Sequence, residues 1–284
     1  MAVNYRAELV GVFGDPVDEN PTGVMEEAAF AAAGLNYRYL NIRVEKGNLR
    51  APMESVRAMN LRGINLTIPH KVDVLEYLDE LSPAAKIIGA VNTVVNKDGK
   101  LFGENTDGKG FLKSLTDAGV SPKGKHLVIL GAGGAARAIA VECALAGAKK
   151  LTIVNRDPGR GSELAQLIAS ATPAESIYQP WEGTATLPVD CDILINATCV
   201  GLYPNVDCKP DIDYDGIKAE MVVSDVVFND PNTLFLQEAA ARGAKTINGL
   251  GMLVNQGALN FTLWTGVPAP LDVMTQTLKN EFHL

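Results

Sequence analysis

The stretch His126-Leu127-Val128-Ile129-Leu130-Gly131-Ala132-Gly133-Gly134-Ala135-Ala136, "HLVILGAGGAA", decides how the chain is read. Leu127–Leu130 is wholly apolar, as expected of a strand buried on both faces of a parallel sheet. The turn after it has the form G-x-G-x-x-A and opens a helix expected over Gly134–Ala146. Gly131 allows the tight turn, Gly133 the close approach of a pyrophosphate, and Ala136 the close packing of helix on strand. The N-terminus of that helix offers backbone N–H groups to an anion. Glycines would also serve a tight turn that binds nothing. The flanking strand and helix favour the dinucleotide reading, with Gly131, Gly133, Gly134 and Ala135 as cofactor-binding candidates.

The next strand, Leu151–Val154, should carry the group that sorts the cofactors. Arg156 and Arg160 can clamp the extra phosphate of NADP, whereas Asp157 between them would repel it and suit the ribose hydroxyls of NAD. Asn155 lies beside them, and Gly249 joins the cofactor-binding candidates. The residues leave NADP against NAD unresolved, with a slight lean to NADP or to dual use.

Working outward, Asp192–Ile195, Met221–Ser224 and Lys245–Ile247 read as further strands with helices between most of them. Towards the N-terminus, strands are expected at Leu9–Phe13, Tyr37–Arg43 and Gly63–Thr67. Helices are expected at Gly23–Ala33, about Leu49–Asn60, and from Pro69 to about Glu80. Ser82-Pro83 resembles a helix cap, and Lys97-Asp98-Gly99 marks a hairpin between Ala90–Asn96 and Lys100–Gly103. Alternating strands and helices imply an α/β protein with mostly parallel sheets. Two domains are expected, one formed by residues 1–107 plus 249–284 and the other a doubly wound dinucleotide-binding domain over 108–248. From Gly249 onward only helices remain (Met252–Trp264, then about Leu271–Phe282), and periodicity does not say on which domain they pack.

The 284 residues, 47% hydrophobic and 20% charged, suit a packed globular protein of that size. A net charge of −8 argues against nucleic acid or an anionic membrane as partner. Cys143, Cys191, Cys199 and Cys208 have no metal-ligand spacing with the three histidines, so no metal site is expected and reduced thiols are. The N-terminal "MAVNYRAELVGVFG" lacks the pattern of a signal peptide, and no apolar run is long enough to span a bilayer. A soluble cytoplasmic protein is expected; its oligomeric state, homodimer included, is left open.

Hydrogen-bonding side chains gather where strands of the first half end. Asn65, Thr67 and Lys71 follow one such end, Asn105, Thr106 and Asp107 another, and Asn92 lies in the run Gly89–Thr93. Ligands of open α/β sheets sit beyond the carboxyl ends of strands, so this edge suits a small polyhydroxylated molecule. Lys71 would lie at the opening of the helix expected after Pro69, where the helix dipole disfavours an ammonium, and a carboxylate such as Asp107 would favour it. A lysine pulled both ways can transfer protons near neutral pH. Singly, each residue also fits a solvated lysine and an aspartate capping the helix near Gly108.

Together, "INLTIPHK", "IGAVNTVV", "GENTDGKGF", "GAGGAARA" and "GLGMLVNQGALNFTLWTG" resemble the shikimate and quinate dehydrogenase family, in order and along essentially the whole chain. The resemblance implies a substrate domain, a Rossmann-type NAD(P) domain, and C-terminal helices returning to the substrate domain. It implies a catalytic pair at Lys71 and Asp107. It also implies substrate contacts at Asn65, Thr67, Asn92, Thr106 and Gln256, on a cyclic polyol carboxylate such as shikimate or quinate. Two departures fall where such proteins grip the carboxylate. The usual paired serines read Asn20 and Thr22, whose amide and hydroxyl can still donate and are expected to hold the carboxylate; a usual tyrosine reads Phe228, a substrate-site candidate that has lost one donor. The expected reaction is therefore hydride transfer between a nicotinamide and a ring ketone or alcohol. The alternatives are a paralogue acting on a different, amino-substituted or non-carboxylated ring, and a non-catalytic dinucleotide sensor.

Overall fold

The computed structural model describes residues 5–284; residues 1–4, part of the stretch read for a leader, lie outside it. The chain divides into two compact units, one running to Thr106 and resuming at Gln256–Leu284, the other Asp107–Asn255.

In the first unit the elements are β1 (Glu8–Gly14), α1 (Thr22–Ala32), β2 (Tyr37–Arg43), α2 (Arg50–Ala58), β3 (Gly63–Leu66), β4 (Glu80–Leu81), α3 (Pro83–Ile88), β5 (Thr93–Lys97) and β6 (Lys100–Glu104). They build a six-stranded sheet in the order β2-β1-β3-β5-β6-β4. Only β5 runs against its neighbours, through the hairpin read from sequence: Asp98 and Gly99 both have positive φ, +53° and +86°, as a two-residue hairpin turn requires. Ser82 Oγ accepts from Ala85 N at 3.2 Å and Pro83 opens α3, so that cap also forms as read. Phe13, Met53, Val56, Ile64, Leu66 and Leu101 lie in one buried cluster of this unit.

The second unit continues with α4 (Thr106–Asp117), β7 (His126–Leu130), α5 (Gly134–Leu145), β8 (Lys150–Asn155), α6 (Pro158–Ala171), β9 (Glu175–Pro180), β10 (Ile193–Asn196), β11 (Val222–Asp225), α7 (Leu234–Ala241) and β12 (Lys245–Ile247). The sheet order β12-β11-β10-β7-β8-β9 is parallel throughout. It is the doubly wound order whose switch point lies between the first and fourth strands, here β7 and β10. Every residue of β7 is buried, as its apolar composition requires. The last helices are α8 (Leu250–Thr265), which crosses the division between units, and α9 (Leu271–Glu281), which packs on α1 of the first unit.

Three expectations change. No helix begins at Pro69. Thr67 N–H donates to Phe13 O, His70 N–H to Thr67 O and Val91 N–H to Lys71 O, so this backbone is pinned as a turn. The wholly buried His70 ring, Nε2 2.6 Å from Val44 O, anchors it, and only a short 3₁₀ turn follows at Asp73–Tyr77. Secondly, α4 begins at Thr106, so Asp107 lies within its first turn instead of capping it. Thirdly, the half-exposed edge strand β9 (ESIYQP) carries no apolar run and was not read from sequence.

Candidate active site

In the first unit, the carboxyl ends of β1, β3 and β6 share an edge with the start of the antiparallel β5. The register pairs Asn65 with Thr93, and Thr93 with Glu104. That edge therefore collects the segments after Gly14, Leu66 and Glu104 and the segment before Thr93, which hold Asn20, Thr22, Thr67, Lys71, Asn92 and Thr106. Asn65, Asn92, Thr106 and Gln256 are all buried. They are joined by buried Thr93, the end of the run that holds Asn92, and by two buried residues that sequence reading missed, Tyr39 and Asn260.

Asn65 accepts from the Tyr39 hydroxyl at 2.8 Å and donates to Asn92 O at 3.0 Å and Thr93 Oγ1 at 3.1 Å. Asn92 Oδ1 accepts Thr106 N–H at 2.8 Å, while its Nδ2 donates to Thr106 Oγ1 at 3.0 Å. Asn260 Oδ1 accepts from Thr93 at 2.7 Å and Thr106 at 2.9 Å, and its Nδ2 donates to Gln256 Oε1 at 3.1 Å. A buried network with its members paired is rigid and sets which lone pairs and protons remain for a ligand. Burial pushes the Tyr39 phenol well above its ordinary range, with the Glu26 carboxyl adding to the effect, so Tyr39 is a donor at any working pH.

Thr67 is half-buried, its methyl set over Gly14, where a Cβ would come 2.2 Å from Thr67 Cγ2. Lys71 is half-buried beyond the pinned turn. Asn20 is half-buried and Thr22 buried at the first residue of α1, where Thr22 N–H donates to Asn20 Oδ1 at 3.0 Å. The spacing of Asn260 from Gln256, four residues along one helix, was the available signal for that partner.

In the second unit, the turn after β7 fits a dinucleotide. Gly131 has φ +105°, and a Cβ there would stand 3.0 Å from Ala197 O, so both conformation and space call for glycine. A Cβ on Gly133 or Gly134 would meet nothing within 4 Å, leaving an open cradle at the start of α5. That helix has no side-chain cap, so its first N–H groups are left for a ligand. Ala135 is half-buried, and Ala136 is buried against the strand.

At the end of β8, Asp157 is engaged within its own loop. Its Oδ1 caps α6 by accepting Arg160 N–H at 3.1 Å, and its Oδ2 lies 3.8 Å from Arg160 Nε. Asn155 Nδ2 donates to Asp157 O at 2.9 Å and shapes the same loop. The Arg156 guanidinium lies 5.4 Å from the centre of the Trp181 ring, a stacking platform not read from sequence. Further along this edge, buried Asp225 accepts from Asn196 Nδ2 at 3.0 Å, Thr233 Oγ1 at 2.7 Å and Val227 N–H at 3.1 Å. These bonds tie together the loops after β10 and β11, and half-buried Phe228 belongs to the latter. Gly249 is required by packing, since a Cβ would lie 2.4 Å from both Val226 O and Val227 O.

Family models match along the chain: the shikimate dehydrogenase substrate binding domain over residues 12–94, shikimate / quinate 5-dehydrogenase over 114–203, and the shikimate 5'-dehydrogenase C-terminal domain over 249–279. A relative named shikimate dehydrogenase (NADP(+)), from Desulforamulus reducens, is 43% identical over 282 residues, covering 98% of this chain and 97% of its own. The chain belongs to the shikimate dehydrogenase family.

As a family member it is an NAD(P)-dependent oxidoreductase of α/β fold. Its fold is similar to that of a ligand-free 5-ketofructose reductase from a Gluconobacter strain, with 48% identity, TM-score 0.94, and coverage of 98% of this chain and 100% of that one. It is also similar to the shikimate 5-dehydrogenase of Listeria monocytogenes in complex with shikimate and NAD, at 36% identity and TM-score 0.91, with 98% of each chain covered. Among the described residues, no helix is long and apolar enough to cross a membrane and no cluster of potential metal ligands occurs. Of the four cysteines, Cys143 and Cys191 are buried while Cys199 and Cys208 are exposed, and all are free thiols.

Proposed function

We propose that the chain interconverts a ketone and a secondary alcohol on a small polyhydroxylated molecule, using NADP(H). The first unit with the C-terminal helices holds the substrate and the second unit holds the dinucleotide. The observation that carries this reading is the buried network of Asn65, Asn92, Thr93, Thr106 and Asn260, which presents fixed donors and acceptors along the strand edge that also bears Lys71. Asn65, Thr67, Asn92, Thr106 and Gln256 hold the substrate hydroxyls. Shikimate and 3-dehydroshikimate are one candidate pair, since relatives such as that of Desulforamulus reducens are named for shikimate.

When bound, the nicotinamide supplies or accepts a hydride at the reacting carbon. In the reducing direction the carbonyl π pair moves onto oxygen, and the Lys71 ammonium gives that oxygen a proton; in oxidation the neutral Lys71 amine takes it back. Asp107 is assigned, from the family pattern, as the carboxylate that orients Lys71. Arg156 and Arg160 take the additional phosphate of NADP, with the Asp157 carboxylate turned to its cap and to Arg160.

A second substrate reading has its own support. The 48% identical structure is named for 5-ketofructose, an uncharged diketone, and this chain replaces the family's paired serines and tyrosine by Asn20, Thr22 and Phe228. Quinate stands beside shikimate as a ring acid. Initial rates with shikimate and quinate, each with NAD⁺ and NADP⁺, and of 5-ketofructose reduction by NADPH and NADH, separate these readings. Turnover in none of them by protein that binds the dinucleotide would leave a sensor.

A further inference from the structure

The start of α1 narrows the substrate class further. From Gly14 to Ala32 the sequence has five acidic side chains, Asp15, Asp18, Glu19, Glu26 and Glu27, and no basic one. Arg43, at the carboxyl end of β2 beside this segment, is held by Asp15 at 3.0 Å and by Glu45 at 3.5 Å. Neither this segment nor Arg43 offers an unengaged cation to a substrate carboxylate arriving here.

One of those donors is already taken. The Thr22 N–H at the helix start donates to Asn20 Oδ1, so a side-chain oxygen fills the direction from which an anion would approach that amide. Asn20 is fixed in that role, since its N–H donates to Val17 O at 3.2 Å and its carbonyl accepts from Asn41 Nδ2 at 3.1 Å. An amide and a hydroxyl both give and accept hydrogen bonds, a set that suits hydroxyl groups better than a charged acceptor.

Glu26 lies one helical turn beyond Thr22, on the same face. It is wholly buried, and neither carboxyl oxygen has a hydrogen-bond partner among the described residues. It abuts α8 beside Gln256, where a Cβ on Gly257 would come 3.4 Å from Glu26 Oε1. Burial holds this carboxyl well above the usual carboxylate range. A second acid group bound nearby would enter a poorly solvated region to which α1 contributes no compensating cation, whereas a hydroxyl has no charge to desolvate.

We infer that Asn20 and Thr22, set above the buried Glu26, make the substrate unit select an uncharged polyhydroxylated ketone or alcohol over a molecule carrying a carboxylate. This rests on the reading of the first unit as the substrate unit.

Two matched pairs test it: methyl shikimate against shikimate, oxidised with NADP⁺, and 5-ketofructose against 5-ketogluconate, reduced with NADPH. The uncharged member is expected to show the higher kcat/KM by about tenfold or more, the worth of one hydrogen bond to a charged group. Asn20→Ser combined with Thr22→Ser should shift the ratio towards the acid by a similar factor. A wild-type preference for the carboxylate member of either pair overturns the inference. Absence of turnover with all four, from folded protein that binds NADPH, overturns the substrate reading beneath it and the inference with it.

Discussion

The Tyr39 hydroxyl donates to Asn65 Oδ1 at 2.8 Å, joining an inner residue of β2 to the substrate edge two strands away. Without it, among the described residues Asn65 Oδ1 keeps the long 3.4 Å contact from Asn260 Nδ2. Tyr39→Phe preserves the ring's packing near Trp264 and removes that donor. It is expected to lower stability by about 1 kcal/mol and to raise the substrate KM, while leaving the dinucleotide KM unchanged. Thermal unfolding and initial-rate kinetics on the one variant check both parts.

At the dinucleotide end, Arg156→Ala removes a guanidinium stacked on Trp181, and Arg160→Ala removes the partner of Asp157. Each is expected to raise the KM for NADPH by roughly ten- to a hundredfold, as for a lost bond to a charged group, with little effect on NADH. Equal effects on both cofactors would mean that these arginines do not read the extra phosphate.

Asp225 gives the second unit a pH signature. Desolvation is the largest influence and pushes its carboxyl up to about 6, against the lowering effect of its Thr233, Val227 and Asn196 bonds. The folded state thus keeps a proton that the unfolded chain has released between about pH 4 and 6. Stability from this group is fully present below the unfolded value and falls as pH rises through about 6. The loss is on the order of 2–3 kcal/mol. Asp225→Asn is expected to flatten this slope relative to wild type, measured as the difference between the two proteins' unfolding curves at pH 4.5 and pH 7. Parallel pH profiles would contradict it.

Gly249 tests packing against cofactor contact. With Val226 O and Val227 O each 2.4 Å from a Cβ built there, Gly249→Ala must displace backbone. It is expected to cost more than about 2 kcal/mol of stability, as steric conflicts in a packed core do. Wild-type stability with weakened cofactor binding would instead give Gly249 a direct role.

The doubly wound unit was legible because its signals are local. A buried strand, a glycine turn and a helix follow one another within twenty residues, and the structure bears out the fold read from them. The capped α3 and the Asp98–Gly99 hairpin were legible for the same reason. The turn at Pro69 was not, because a buried histidine, a bond from Thr67 N–H to Phe13 O and one from Val91 N–H to Lys71 O override the local helical pattern. The partners of the polar cluster were hidden by distance along the chain: Thr93 and Asn260 meet across 167 residues. Glu26 was hidden differently, since a carboxyl in a helix reads as solvated until the burial of its face is known.

The most direct test of the account is the proton-transfer role of Lys71. Wild-type protein and Lys71→Ala would be compared for kcat on the best substrate and for NADPH affinity by fluorescence titration. The account predicts that kcat falls by about 10²–10⁴-fold, the usual contribution of a positioned acid–base group, while the NADPH Kd stays within a factor of two or so. A Lys71→Ala enzyme that turns over within a few-fold of wild type would contradict it.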